Sequence, residues 1–347
     1  DLTHGTTGER PPLDLPSSSA AAETFLVQFS RWAMACEFQI YLTAQHPPHA
    51  PEAAMAALDL IERLEDQMTV FRPDSEISRI NRQAAMSPVE VEPQLLKLLG
   101  EGVALFHETE HAFDVTAGPL SKVWGFHRRQ GRLPPADELA AALACVGSDK
   151  LHLDPQAGTI AFALGGMEIN LGAIGKGYAL DRAAERLTGR DVGNFLIHGG
   201  RSSVLARGAR IPWAAEDNPW LIGIGNPLRP QMDLGNIALC DQALSTSGGR
   251  TQSFHHEGQR YGHILDPRTG QPATGVVSVT VVCDSAATAD ALSTALYVLG
   301  PERTEAFCRR RTDVAVLLAT EGHGAGQLQT HAWNFRPGVW RPHRQGT

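Results

Sequence analysis

The chain has 347 residues, 42% of them apolar and 20% charged, a globular balance that can bury a sizeable core. Its formal net charge of −8 and isoelectric point near 6.0 argue against a nucleic-acid binder, whose domain is normally basic. No apolar run reaches the roughly 18 residues of a membrane span. An acidic protein that handles a polyanion needs a local remedy, either a metal ion or backbone N–H groups.

Residues 1–22 are polar and rich in Pro and Ser, without the charged-then-apolar pattern of a signal peptide. They are expected to form a disordered arm before one folded domain over 23–335 and a tail over 336–347. The compartment stays open: the cytoplasm or, had a leader been removed, the extracytoplasmic face of the inner membrane. From Thr24 to Leu42 an extended pattern predicts one or two strands around a kink at Met34. Met55, Leu58, Ile61, Leu64 and Met68 recur at helical spacing and predict an amphipathic helix over Pro51–Met68. A turn follows at Phe71–Asn81, where Asp74 or Ser75 caps a short helix. Further helices are expected over Pro93–His107 and Glu138–Ala144, with a hairpin over Leu151–Phe162. Glu168–Leu171 reads as a strand, followed by a glycine-rich loop and a helix. Strands at Phe195–His198, Leu221–Ile224 and Ser278–Cys283 lead to a helix over Ala287–Leu299 and a last strand over Val314–Ala319. Helices and strands mix without regular βαβ alternation, which predicts an α+β fold with mixed or antiparallel sheets.

Several local patterns carry less than they promise. The five cysteines form no CxxC pair and their number is odd, so they are expected to be buried apolar thiols. His107-Glu108-Thr109-Glu110-His111 fits the zinc-hydrolase pattern H-E-x-x-H. The helix is expected to stop near His107, however, which turns the two histidines apart and leaves a solvated helix end. Gly172–Gly177 departs from a P-loop at Asn170 and at Gly177, although a glycine-rich turn entering a helix still offers N–H groups to a phosphate. Ser245–Gly249 lacks a nucleophile elbow and reads as a tight polar turn that lets backbone approach a ligand.

Asp290 and Thr294 lie one turn apart on an otherwise apolar helix face. A carboxylate and a hydroxyl there are costly unless paired or metal-bound, and oxygen-only donors suit Mg²⁺. On these two residues alone a structural pair is the more economical reading, with Asp290 salt-bridged to an arginine and Thr294 bonded back to its own helix.

A wider pattern shifts that balance. Met34, Phe71–Asn81, Phe113–Leu120 with Trp124-Gly125-Phe126, Leu171–Asp181, Ser245–Gly248, His263–Gly270 and Asp290–Ala295 are seven ordered segments between Phe29 and Leu317. Together they resemble the ApbE family of FAD:protein FMN transferases. The resemblance implies an ApbE-like, T-fold-related α+β architecture. It also implies an enzyme that transfers FMN from FAD to a Ser or Thr hydroxyl of a target flavoprotein, releasing AMP. The metal would be Mg²⁺ on Asp290, Thr294 and the carbonyl of Ala173. FAD would be contacted by Met34, Phe71, Ala112, Phe113, Asp114, Asn170, Lys176 and Ile264. His263, with an ordinary pKa of about 6.5, would take the hydroxyl proton; a structural histidine bonded to Asp266 is the competing reading. Cys36, Asn170, Arg201 and Ala287 depart from the family pattern. The rival activities are FAD hydrolysis to FMN and AMP, and FAD binding without catalysis.

Overall fold

Two strands of alternating polarity, β1 (Leu26–Ala33) and β2 (Cys36–Thr43), open the chain of this computed structural model. It describes residues 25–210, 218–229, 231–249, 252–322 and 327–343; the expected arm at 1–22 lies outside them. The kink at Met34 is the two-residue turn Met34–Ala35, with φ of 49° and 58°, the type I′ geometry that suits a twisted hairpin. Helix α1 (Ala50–Met68) buries Leu58, Ile61, Leu64 and Met68. Met55, expected on that face, is instead 41% exposed. The alanines at 50, 53, 54 and 57 fill the buried stripe in its place.

Ser75, not Asp74, caps α2 (Glu76–Gln83), its Oγ accepting from Ser78 N at 3.0 Å. Next come β3 (Val89–Glu90), α3 (Pro93–Glu108), α4 (Gly118–Val123) and α5 (Ala136–Ala144). The expected hairpin, β4 (Leu151–Asp154) with β5 (Thr159–Phe162), joins β3 in a small sheet. Helix α6 (Gly175–Thr188) leads to β6 (Phe195–Gly199), β7 (Ser203–Arg207), β8 (Trp220–Gly225), β9 (Asp233–Leu239) and β10 (Ala243–Gly248). The hairpin β11 (Ser253–His256) and β12 (Gln259–Gly262) precedes β13 (Ser278–Cys283) and α7 (Ala286–Arg310). The chain closes with β14 (Ala315–Glu321), β15 (Leu328–Trp333) and β16 (Trp340–Pro342).

The central element is an eight-stranded sheet in the order β1-β2-β6-β7-β10-β13-β14-β15, antiparallel at every step. Helices α1, α6 and α7 cover one face and enclose the main core. The small sheet β16-β9-β8 covers the other, where Val204, Ala206, Leu244, Val282 and Leu317 meet Trp220, Ile224, Ile237 and Leu239. The result is the α+β class expected from the unalternating pattern.

Four local readings are corrected. Glu168–Leu171 is not a sheet strand: Asn81 brackets Ile169 like a neighbouring strand, donating to its carbonyl (2.9 Å) and accepting from its N–H (2.8 Å). Asn170 N then reaches Val115 O, and Glu168 keeps only an isolated bridge to Ala117. Ser245–Gly248 is the end of strand β10 rather than a turn. The helix expected to end at Leu299 resumes beyond a break at Gly300 (φ 77°), where Pro301 starts a second segment without needing an N–H partner. Val314–Ala319 is not the last strand, since β15 pairs beside β14 and β16 beside β9; residues read as a tail thus contribute a strand.

Candidate active site

Where the end of β10, the Asn170–Ala173 loop and the facing turns of α6 and α7 converge, they leave a cavity of about 450 Å³. Ala112, Phe113, Asp114, Asn170, Ala173, Lys176, His263, Ile264, Asp290 and Thr294 all line it. Met34 and Phe71 line an adjoining space of about 260 Å³, which shares Asn170, Gly172 and Lys176 with the first. Residues spread over the sequence from 34 to 294 thus meet on two adjoining hollows.

Asp290 is the most constrained of them. Only 4% exposed, its carboxylate accepts from Ser245 Oγ at 3.0 Å and from Gly177 N at 3.1 Å. Lys176 Nζ stands 3.6 Å from the same Oδ1. A buried carboxylate without such partners would be costly. The expected arginine is therefore replaced by a lysine that itself faces the cavity. Thr294 does bond back to the Asp290 carbonyl, at 3.4 Å, but its hydroxyl also meets Ser247 Oγ at 3.0 Å, and Ser247 reaches Ser293 at 2.7 Å. The sequence singled out the Ser245–Gly249 run but gave the side chains of Ser245 and Ser247 no role. Read with period two, the Ser-Thr-Ser run places both on one face of a strand, which was the available signal.

The two helix starts exchange bonds in opposite directions. Gly177 at the start of α6 donates to Asp290 of α7. Asp181 of α6 in turn accepts from Ala286 N (2.8 Å), Ala287 N (2.9 Å) and Ser285 Oγ (2.8 Å) at the start of α7. Burial pushes the Asp181 carboxyl above the usual carboxylate range, and the N–H bonds of Ala287 and Ala286 oppose that shift. Gly177 has no room for a side chain: a Cβ there would lie 2.0 Å from the Ala286 carbonyl oxygen. This glycine permits helix contact, whereas the sequence suggested only an approach to a ligand.

His263 is half-buried at the base of the β11–β12 hairpin. Its Nδ1 lies 3.0 Å from the carbonyl oxygen of Gln252, which accepts from the ring and also from the His263 main-chain N–H. A carbonyl can only accept, so Nδ1 carries the proton in the neutral ring and Nε2 keeps its lone pair. Burial holds the pKa below its ordinary 6.5, the Gln252 bond raises it, and Lys176 lowers it further. The competing bond to Asp266 is absent, because that carboxylate is held at both oxygens by Arg268, at 2.8 and 2.7 Å.

The side chains of two other predicted residues are spent within the protein. The Asp114 carboxylate is saturated by Thr116 N, Thr116 Oγ1 and Ser148 Oγ at 2.6–2.8 Å and by Ser148 N at 3.2 Å. Its side chain therefore ties down the loop that carries Ala112 and Phe113. Asn170 Oδ1 folds onto Gly172 N at 2.9 Å, shaping the Ala173 loop. Cys36 begins β2 and its thiol pKa is raised chiefly by burial; Arg201 is exposed in the β6–β7 turn. Met34 and Ala35 both hold positive φ without being glycine or asparagine. Such strain gathers where a side chain must be aimed. Ala35→Gly is expected to stabilise the protein by roughly 0.5–1 kcal/mol in urea unfolding.

The zinc pattern does not assemble into a metal cluster among the described residues, although the rings of His107 and His111 stay in edge contact, centroids 6.0 Å apart, rather than turning away from each other as expected. Helix α3 ends at Glu108, and Glu110 and His111 have φ of 53° and 65°. His111 stacks on Phe106, with ring centroids 4.1 Å apart, and Glu108 pairs with Arg311. Of the cysteines, Cys283 and Cys308 are buried, with pKa values pushed up to about 12. Cys36 and Cys145 are half-buried, however, and Cys240 is exposed, against the expectation for all five.

Comparison with known proteins converges on one family. The ApbE family model matches residues 34–318. A protein named FAD:protein FMN transferase from Vibrio cholerae is 36% identical over 282 residues, covering 80% of this chain and 82% of that protein. One of the same name from Haemophilus influenzae is 31% identical over 273 residues, covering 76% and 78%. Among solved structures, an ApbE protein of Thermotoga maritima gives a TM-score of 0.79 at 30% identity, over 88% of this chain and 96% of that one. The flavin transferase ApbE of Vibrio cholerae gives 0.76 at 30% identity, over 89% and 97%.

Proposed function

This chain belongs to the ApbE family, and on that premise we propose that it is a magnesium-dependent FAD:protein FMN transferase that modifies a Ser or Thr hydroxyl and releases AMP. The observation that carries the reading is the convergence of Asp290, Thr294, Ala173, Lys176 and His263 on one cavity. The metal fits the donors present. The Asp290 carboxylate, the Thr294 hydroxyl and the Ala173 carbonyl are all oxygens. Among the described residues no cluster of three His, Cys, Asp or Glu side chains competes for a softer ion. Mg²⁺ accepts so sparse a set because it keeps water and substrate phosphate in its remaining positions. When bound, it neutralises charge on the phosphoryl oxygens of the substrate.

The chain's own groups supply the rest. Ser245 and Gly177 N hold the Asp290 carboxylate in one orientation, and Ser247 does the same for the Thr294 hydroxyl. Lys176 adds positive charge beside the substrate phosphates. His263 Nε2 takes the acceptor hydroxyl proton as the oxygen forms its bond to the FMN phosphorus and the bond from that phosphorus to the AMP oxygen breaks. The base must be neutral, and burial favours the neutral ring. The acid limb of the kcat/KM profile, measured by AMP release, is therefore expected below pH 6.5, with a plateau at neutral pH; an acid limb at or above that value would contradict the assignment of the base.

The activity is tested by incubating the protein with FAD and Mg²⁺, with and without a flavoprotein acceptor. AMP together with a fluorescent protein band after denaturing electrophoresis is the expected result. AMP with free FMN points to hydrolysis, and FAD retained without AMP points to a carrier.

A further inference from the structure

We infer that the outer edge of β1 is the rail along which the acceptor protein lays the extended segment carrying its hydroxyl. This deepens the transferase reading and rests on it. β1 is the terminal strand of the central sheet and, among the described residues, pairs only with β2. In a two-residue hairpin closed by Ala33 and Cys36, the bonds to β2 fall on Ala33, Arg31, Phe29 and Val27. The N–H and C=O groups of Leu26, Gln28, Ser30 and Trp32 then point away from the sheet.

Such edges are usually guarded by charged residues, proline, a bulge or short length. β1 runs eight residues in unbroken register with no lysine or proline. Its one guard is Arg31, which is drawn off the edge to half-exposed Asp59 (2.7 Å) and Glu62 (2.6 Å) of α1. Apolar surface flanks the edge instead: Phe25 is 68% and Trp32 71% exposed. Where the edge leads decides its occupant. Ala33 passes directly into Met34, which lines the smaller hollow with Phe71, itself 69% exposed. β1 itself lines neither hollow, as is true of the opposite terminal strand β15, but only β1 is flanked by a residue that does, Met34. A strand added to β1 therefore runs toward the smaller hollow, which shares Asn170, Gly172 and Lys176 with the cavity that holds His263 and Asp290. Main-chain pairing is indifferent to sequence, so the ligand class is an extended Ser- or Thr-bearing segment, with selectivity left to its side chains beside Phe25 and Trp32.

The probe is a library of synthetic peptides, each with a single central Thr; the peptide that wild-type protein flavinylates best is carried forward. Ser30→Pro removes one outward donor without touching the β2 ladder, and Gln28→Lys installs an edge guard. Both are expected to raise the peptide KM by about tenfold or more, while the FAD Kd and the kcat at saturating peptide stay within about twofold. An unchanged FAD Kd also shows that each variant is folded. A photo-crosslinker at Gln28 should capture residues flanking the peptide's Thr. The docking inference fails if both variants keep the wild-type peptide KM, or if the crosslinker captures the chain's own residues 1–24. If wild-type protein flavinylates a flavoprotein acceptor but no peptide, the rail fails and the transferase reading stands; if it flavinylates neither, both fail.

Discussion

Replacing Asp290 by Ala is expected to lower Mg²⁺-dependent AMP release by about 10³-fold or more, equivalent to roughly 4 kcal/mol of transition-state stabilisation. The size follows from the donor set. Thr294 and Ala173 offer neutral oxygens, so Asp290 brings the only formal negative charge to the proposed metal position. The remaining carboxylate on the cavity wall, Asp114, is already saturated by Thr116 and Ser148. A structural explanation of the loss can be separated from a chemical one. The substitution leaves Ser245 Oγ and Gly177 N without that acceptor and Lys176 without its counter-charge, at a cost of about 1–3 kcal/mol. Its melting temperature should therefore fall by roughly 2–12 °C, while turnover measured well below that temperature collapses. Undiminished turnover would sink the metal assignment.

Gly177→Ala is expected to act in the opposite order, on stability first. The new Cβ would meet the Ala286 carbonyl oxygen at 2.0 Å and Ala287 N at 2.7 Å. These are backbone atoms of a neighbouring helix and cannot swing aside as a flexible side chain could. α6 and α7 must separate or tilt, and the Asp181 bonds to Ala286 and Ala287 share the same junction. A loss of about 3 kcal/mol or more is expected, read as a melting-temperature drop of roughly 6–12 °C for a chain this long. A shift below about 2 °C would show that the junction relaxes easily.

Much of the fold was legible because amphipathic periodicity survives in single elements. α1, α3, the β4–β5 hairpin and β13 all follow from local pattern. What escaped depended on partners distant in sequence. Asn81 satisfies Ile169 across 88 positions, so a segment with a strand-like composition needs no sheet. The apolar face of α1 is built from alanines that a hydrophobic count ranks below Met55. For the site, Asp290 and Thr294 were visible as polar residues on an apolar helix, but their reading depended on resemblance over the whole chain. Ser245, Gln252 and Asp181 were hidden because each acts on another site residue or on a helix start. Apart from the period-two spacing of Ser245 and Ser247, nothing in a serine, a main-chain carbonyl or an acidic residue on a helix announces that function.

The exchange between α6 and α7 has a thermodynamic meaning. The carboxylate proposed to grip the metal is the same group that latches the first turn of α6, and the opposite latch is fastened by a residue of α6 itself. Affinity at the cavity and cohesion of the helical layer are thus linked functions. A ligand that tightens around Asp290 reinforces a bond the fold already relies on, and its binding free energy adds to the resistance of the whole helix pair to unfolding.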